Sequence, residues 1–195
     1  MNQKRIALRG LVACLVLLGA PVFAADAALP PAAQILDRYV EATGGKAVYE
    51  GRKSEIATGT LLFTAQGLKG TIIRYSEDPD KYYSSVDIQG IGKVEEGVNA
   101  GVAWEKSALL GARIKTGEER AQAIREARMN SSYHWRELYP KAETAGTEMV
   151  NGEDCYKVVL TPPEGSPETM YFEKKSGLLR KTTLVAASQM GNVPA

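Results

Sequence analysis

His134 is the chain's only histidine, and it stands in "SSYHWRE" between Tyr133 and Trp135 on a helical or turn segment. A zinc-protease helix needs a second histidine one turn on, and "HWRE" does not provide it. A metal centre needs several ligands at ordered spacing, and one histidine with the two cysteines Cys14 and Cys155 cannot supply that set. Carboxylate pairs occur at Glu95–Glu96 and Glu118–Glu119. Neighbours on a strand point to opposite faces, so Glu95 and Glu96 cannot flank one glycosidic bond. Solvated faces account for these charges. No G-x-S-x-G elbow, phosphate loop or dinucleotide fingerprint is present. The expectation is therefore no catalytic residue, no metal and no cofactor: a protein that is not an enzyme.

The N-terminus indicates where such a chain works. "MNQKRIALR" carries Lys4, Arg5 and Arg9, and "GLVACLVLLGAPVF" follows as an apolar run too short to span a bilayer. Val22 and Ala24 occupy positions −3 and −1 of a small-residue cleavage site, so residues 1–24 read as a signal peptide removed after Ala24, giving a periplasmic protein. "LVAC" also has the letters of a lipobox, which would anchor the chain through a lipid on Cys14. Against this, Arg9 lies too close to Cys14 and the apolar run continues beyond it. Loss of the three basic residues leaves 21 Lys and Arg against 23 Asp and Glu, with no electrostatic case for binding nucleic acid. Residues 25–195 suit a single domain with a sizeable core. Cys155 would then be the one cysteine left, so no internal disulfide forms, and its place beside Tyr156 in a strand marks it as a small core residue.

The elements follow from periodicity. "LPPAAQILDRYVEATGG" reads as a helix begun by Pro30–Pro31, ended by Gly44–Gly45, with Ile35, Leu36, Tyr39 and Val40 on one face. Strands follow in "SEIATGTLLFTA", "GTIIRYS", "KYYSSVDI", "GKVEEGV" and "GVAWEKS", with "NAG" turning the last pair. A helical insert spans "GEERAQAIREARMNSSYHWRELYP", broken in two near "NSS" and stopped by Pro140. Hairpins then resume through "AETAGTEMV", "CYKVVLTP" and "ETMYFEKKSGLLRKTTLV". Short spacings exclude the long crossovers of a parallel sheet. The fold class is α+β: an antiparallel sheet that must curl, with helices covering one face.

The order "ILDRYVEATGG", "KSEIATGTL" and "YKVVLTPPEGSPETMYFEKKSGLLRK" is similar to outer-membrane lipoprotein-sorting (LolA-like) proteins, from about Leu29 to Val193. The resemblance implies a strongly curved antiparallel sheet, an incomplete barrel, with helices over its mouth and an apolar cavity between. It also implies a carrier of lipid or lipoprotein acyl chains. No position here corresponds to the charged residue that helps control lid closure in such carriers. The chain also stops at "SQMGNVPA" where relatives continue, so a shortened C-terminus or an exposed sheet edge is expected.

Each methylene taken out of water is worth about 0.8 kcal/mol, so an exposed acyl chain of about sixteen carbons forgoes on the order of 12 kcal/mol. A carrier needs a sheltered apolar concavity and no reactive group. Strand parity and helix face nominate Leu61, Phe63, Ile72, Tyr82, Val86, Val94 and Trp104 from the sheet, and Ile124 and Trp135 from the insert. The same residues would serve equally as packed core. A second expectation is an interaction module that docks an outer-membrane or periplasmic protein through a sheet edge or face.

Overall fold

The structure is a computed structural model that describes residues 28–64, 66–188, 191 and the backbone of 193–194. The cleavage site after Ala24 and Cys14 lie outside the described residues. Helix α1 (Ala32–Ala42) starts after Pro31, whose extended backbone cannot extend a helix upstream. Ala32, Ile35, Leu36 and Val40 form its buried stripe. Thr43 closes it by donating its hydroxyl to the Tyr39 carbonyl at 2.8 Å. Gly44 then turns the chain at φ +123°, and a Cβ there would meet the Val48 side chain at 3.0 Å. The glycine pair makes a corner rather than an end, because a short helix α2 (Gly45–Gly51) follows directly and buries Tyr49.

Six strands come next as an antiparallel meander: β1 (Ser54–Phe63), β2 (Leu68–Glu77), β3 (Lys81–Ile88), β4 (Gly92–Asn99), β5 (Val102–Ser107) and β6 (Gly111–Ile114). The β4–β5 turn is Ala100–Gly101, both at positive φ, as a tight hairpin with right-handed twist requires. Strand β6 adds to the five read from the sequence; its four residues are too few to give a clear alternation. The insert is α3 (Gly117–Ala127) and the single turn α4 (Trp135–Leu138), separated at Asn130, which adopts φ +58°.

A second sheet follows, β7 (Lys141–Val150), β8 (Glu153–Thr161), β9 (Glu168–Glu173) and β10 (Leu179–Thr183), in the order β10-β9-β8-β7. Val185–Ala186 (β11) pairs with Val193–Pro194 (β12) as a separate ribbon. The architecture is α+β with antiparallel sheets and no closed barrel among the described residues. Two apolar clusters pack helices against the sheets, and a third, Val150, Cys155 and Tyr171, lies within the second sheet. The larger packs Ala32, Ile35 and Leu36 of α1 with Trp135 and Tyr139 against Val158, Leu160 and Phe172 of the second sheet. Phe172 and Leu160 are each 1% exposed, and burial of side chains this size stabilises by about 1.5–3 kcal/mol apiece. The smaller cluster joins Val98 and Ala103 to Ala127 of α3. No helix among the described residues is long and apolar enough to cross a membrane.

Candidate functional site

Register places the side chains of the six-stranded sheet in rows. Val98, covered by α3, lies opposite Tyr82 and Ala103, which defines the inner face. One step along the strands, Ala57, Arg74, Ser84, Glu96, Glu105 and Arg113 face the same way across all six strands. The next row is Gly59, Ile72, Val86, Val94 and Ser107. Beyond it come Leu61, Gly70, Ile88 and Gly92, then Phe63 with Leu68. The inner face therefore has a helix-covered end, one charged row, and apolar rows leading away from the helix. Leu61, Phe63, Ile72, Val86 and Val94 share these apolar rows. All five are half-buried, and none belongs to a cluster packed by a helix.

Helix α3 lies over the first row and makes a cavity of about 480 Å³ with the sheet and the segment Leu184–Ala187. Tyr82, Val98 and Ala123 give it apolar wall; Arg74, Glu96, Lys115, Glu119 and Glu168 give it charge. A second cavity of about 250 Å³ opens toward α1 and α2, and it shares Arg74, Tyr82 and Glu126 with the first.

The charges are organised. Lys115, 8% exposed, donates to Glu96 at 2.9 Å. Arg113 spans Glu105 at 3.2 Å and Glu119 of α3 at 2.5 and 2.7 Å. These bonds from Arg113 hold the Glu119 carboxyl below the usual carboxylate range. Tyr82 donates its hydroxyl to Glu96 at 3.4 Å, and burial pushes its phenol up. Arg74 is exposed and lies over the Tyr82 ring, 5.7 Å from its centroid. Glu168, on β9, accepts from Tyr139 and pairs with Arg125 of α3 at 3.5 Å, tying the helix to the second sheet. Burial beside Glu168 drives the Tyr139 phenol far above its ordinary range.

The other nominated residues fall elsewhere. Ile124 packs at the margin of the α3 cluster. Trp135 is buried in the larger core against the second sheet, its indole N–H donating to Asp37 at 3.3 Å. Trp104 contributes to the cavity wall, but its ring turns to the outer face, 6.2 Å from Tyr83. There it belongs to a row of its own: Ile56, Tyr75, Tyr83, Gly97, Trp104 and Ile114. The paired carboxylates separate as parity requires. Glu95 accepts from Tyr83 at 2.7 Å on the outer face while Glu96 turns inward. His134 lies just before α4, with Nδ1 2.9 Å from Glu137 one turn on. Arg74, Glu96, Lys115 and Glu119 are the site residues that sequence reading missed; the parity that puts Arg74 beside Ile72 and Tyr82 was the available signal.

No family model matches the sequence, and no curated protein matches it. Among solved structures, a DUF1329 family protein from Desulfovibrio piger is 17% identical, with a TM-score of 0.46 over 85% of this chain and 77% of that one. A LolA superfamily protein from Nitrosomonas europaea is 16% identical, with a TM-score of 0.46 over 84% of this chain and 74% of that one. An outer membrane lipoprotein-sorting protein domain from Vibrio parahaemolyticus is 14% identical, with a TM-score of 0.44 over 84% and 83%. Two of the three carry the name of the family that the sequence resembles. Likeness at this level carries no information about ligands or partners.

Proposed function

We propose that the protein is an exported, non-enzymatic binding protein that shelters a lipid or lipoprotein acyl chain, acting in outer-membrane lipoprotein sorting or lipid transport. One observation carries the reading. Leu61, Phe63, Ile72, Val86 and Val94 stand side by side on the inner face, outside every helix-packed cluster, on the sheet that floors the α3 cavity. An apolar surface of this kind gains from covering a hydrocarbon at about 25 cal/mol per Å².

The test is organic extraction of freshly purified protein with mass spectrometry, beside titration with a fluorescent fatty acid. Wild type yields lipid and binds the probe. Val86→Glu places a charge in the central apolar row, keeps its circular dichroism spectrum, and loses both. Absence of lipid and of probe binding in wild type would end this reading.

The outer face favours a second reading, an interaction module for an outer-membrane or periplasmic protein. Ile56, Tyr75 and Ile114 are 67%, 42% and 58% exposed in one row with Tyr83 and Trp104. In that case purified protein carries no lipid, and Tyr75→Ser with Ile114→Ser removes partner binding.

A further inference from the structure

The sheet edges are treated unequally. Strand β7 carries Lys141, Glu143 and Glu148 and a register shift between Thr144 and Gly146. Strand β10 carries Arg180 and Lys181 and a shift between Leu179 and Lys181. Strand β6 is four residues long, with Arg113 tied to α3. Charge, bulges and shortness are the ordinary means of keeping an edge from pairing. Strand β1 has only a single charge, Glu55 at its start, and no bulge. It runs ten residues in unbroken register with β2, and from Ile56 to Phe63 it holds no charge and no proline. Ser54 to Thr60 are exposed, and Ile56 and Leu62 are 67% and 61% exposed.

We infer that β1 pairs antiparallel with β1 of a second copy, about a two-fold axis at Gly59, joining two six-stranded sheets into one. The strand is complementary to itself in this register. Each residue from Glu55 to Phe63 finds a partner on its own face, so no side chain is forced through the sheet. Ile56 meets Leu62 of the second copy on the outer face, and these are the strand's two exposed large apolar residues. Ala57 meets Leu61 on the inner face, Thr58 meets Thr60, and Gly59 meets itself without steric demand. Glu55 falls opposite Phe63, so like charges never face each other. A two-fold contact must use the same patch on both copies, and this strand satisfies that condition. Although Leu61 and Phe63 of this strand also belong to the proposed acyl-chain surface, the pairing is made by the backbone edge and is read out by mass and cross-linking rather than by lipid, so either can fail alone.

Two measurements test it. In sedimentation, the wild-type chain gives twice the monomer mass at high concentration, while Thr58→Lys with Thr60→Lys sets lysines opposite each other and shifts it to the monomer. In the second, Gly59→Cys is oxidised with copper(II). Antiparallel partners sit about 4.5–5.5 Å apart at Cα, within the span of a disulfide. A Cβ at position 59 makes only an ordinary contact, 3.5 Å from Ile72. The variant cross-links to a dimer at a rate independent of protein concentration. Leu109→Cys, 79% exposed, and wild type serve as collision controls. A wild-type monomer at every concentration, a double-lysine variant that stays dimeric, or a Gly59→Cys rate no faster than that of Leu109→Cys overturns the inference.

Discussion

Arg113 is the residue on which the inner face turns. It joins the sheet to α3 through Glu119, whose carboxylate side chain is 13% exposed. Because the folded carboxyl titrates below its unfolded counterpart, the stabilisation is complete above the ordinary glutamate range near pH 4–5 and is lost as pH falls through the depressed folded value. Arg113→Met should lower stability at neutral pH by about 1–3 kcal/mol, since it leaves Glu119 without its donors. The variant should then lose less than wild type on acidification, and urea unfolding midpoints at neutral and acid pH check both effects. Single residues were the least legible scale in the sequence. Glu96, Lys115 and Glu119 have the composition of a solvated face, and alternation says which residues share a side without saying which side a helix will cover. His134, read from the sequence as lying on a helical or turn segment, stands just before α4 with Nδ1 2.9 Å from Glu137.

Among the elements, β4 and β5 are locked by a glycine. A Cβ on Gly97 would lie 2.7 Å from the Trp104 indole nitrogen, so the ring can lie across the strand only because position 97 has no side chain. Gly97→Ala should swing Trp104 away from Tyr83, at a cost of about 0.5–1.5 kcal/mol for the lost aromatic contact. Tryptophan fluorescence should shift to the red, and the shift should vanish in Gly97→Ala with Trp104→Phe. An unchanged spectrum would mean the ring has another seat. Elements with strong local chemistry were legible: Pro30–Pro31 before α1, and Ala100–Gly101 between β4 and β5, both of the latter at positive φ. Helix α2 escaped because a glycine pair signals a stop, and here Gly44 re-aims the chain into a second helix. Trp104 was nominated for the inner wall by strand parity, but without the register of β5 against β4 that parity could not be anchored, and the register sets its ring in the row of Tyr83.

The whole molecule stands on unequal foundations. Eight buried residues from α1, the α4 region and the second sheet form one core, while three hold α3 to the first sheet. Phe172→Ala should therefore cost about 3–5 kcal/mol, and Ile124→Ala, half-buried at the smaller cluster, markedly less; denaturant titration of the two variants measures the asymmetry. Fold class was legible at this scale because short hairpins exclude parallel topology. The division into sheets of six and four was not: the helical insert was legible, but strand pattern alone does not say whether the hairpins on its two sides pair into one sheet or two. The charged row across the first sheet has a consequence of its own. Glu96, Glu105 and Arg113 are already paired with Lys115, Glu119 and one another, but Arg74 is exposed, and a plain hydrocarbon laid over it would strip its water and offer no hydrogen bond in exchange. Under the acyl-chain proposal, that row would face a polar head and the apolar rows beyond it a tail, so an amphiphile would suit this floor better than an oil.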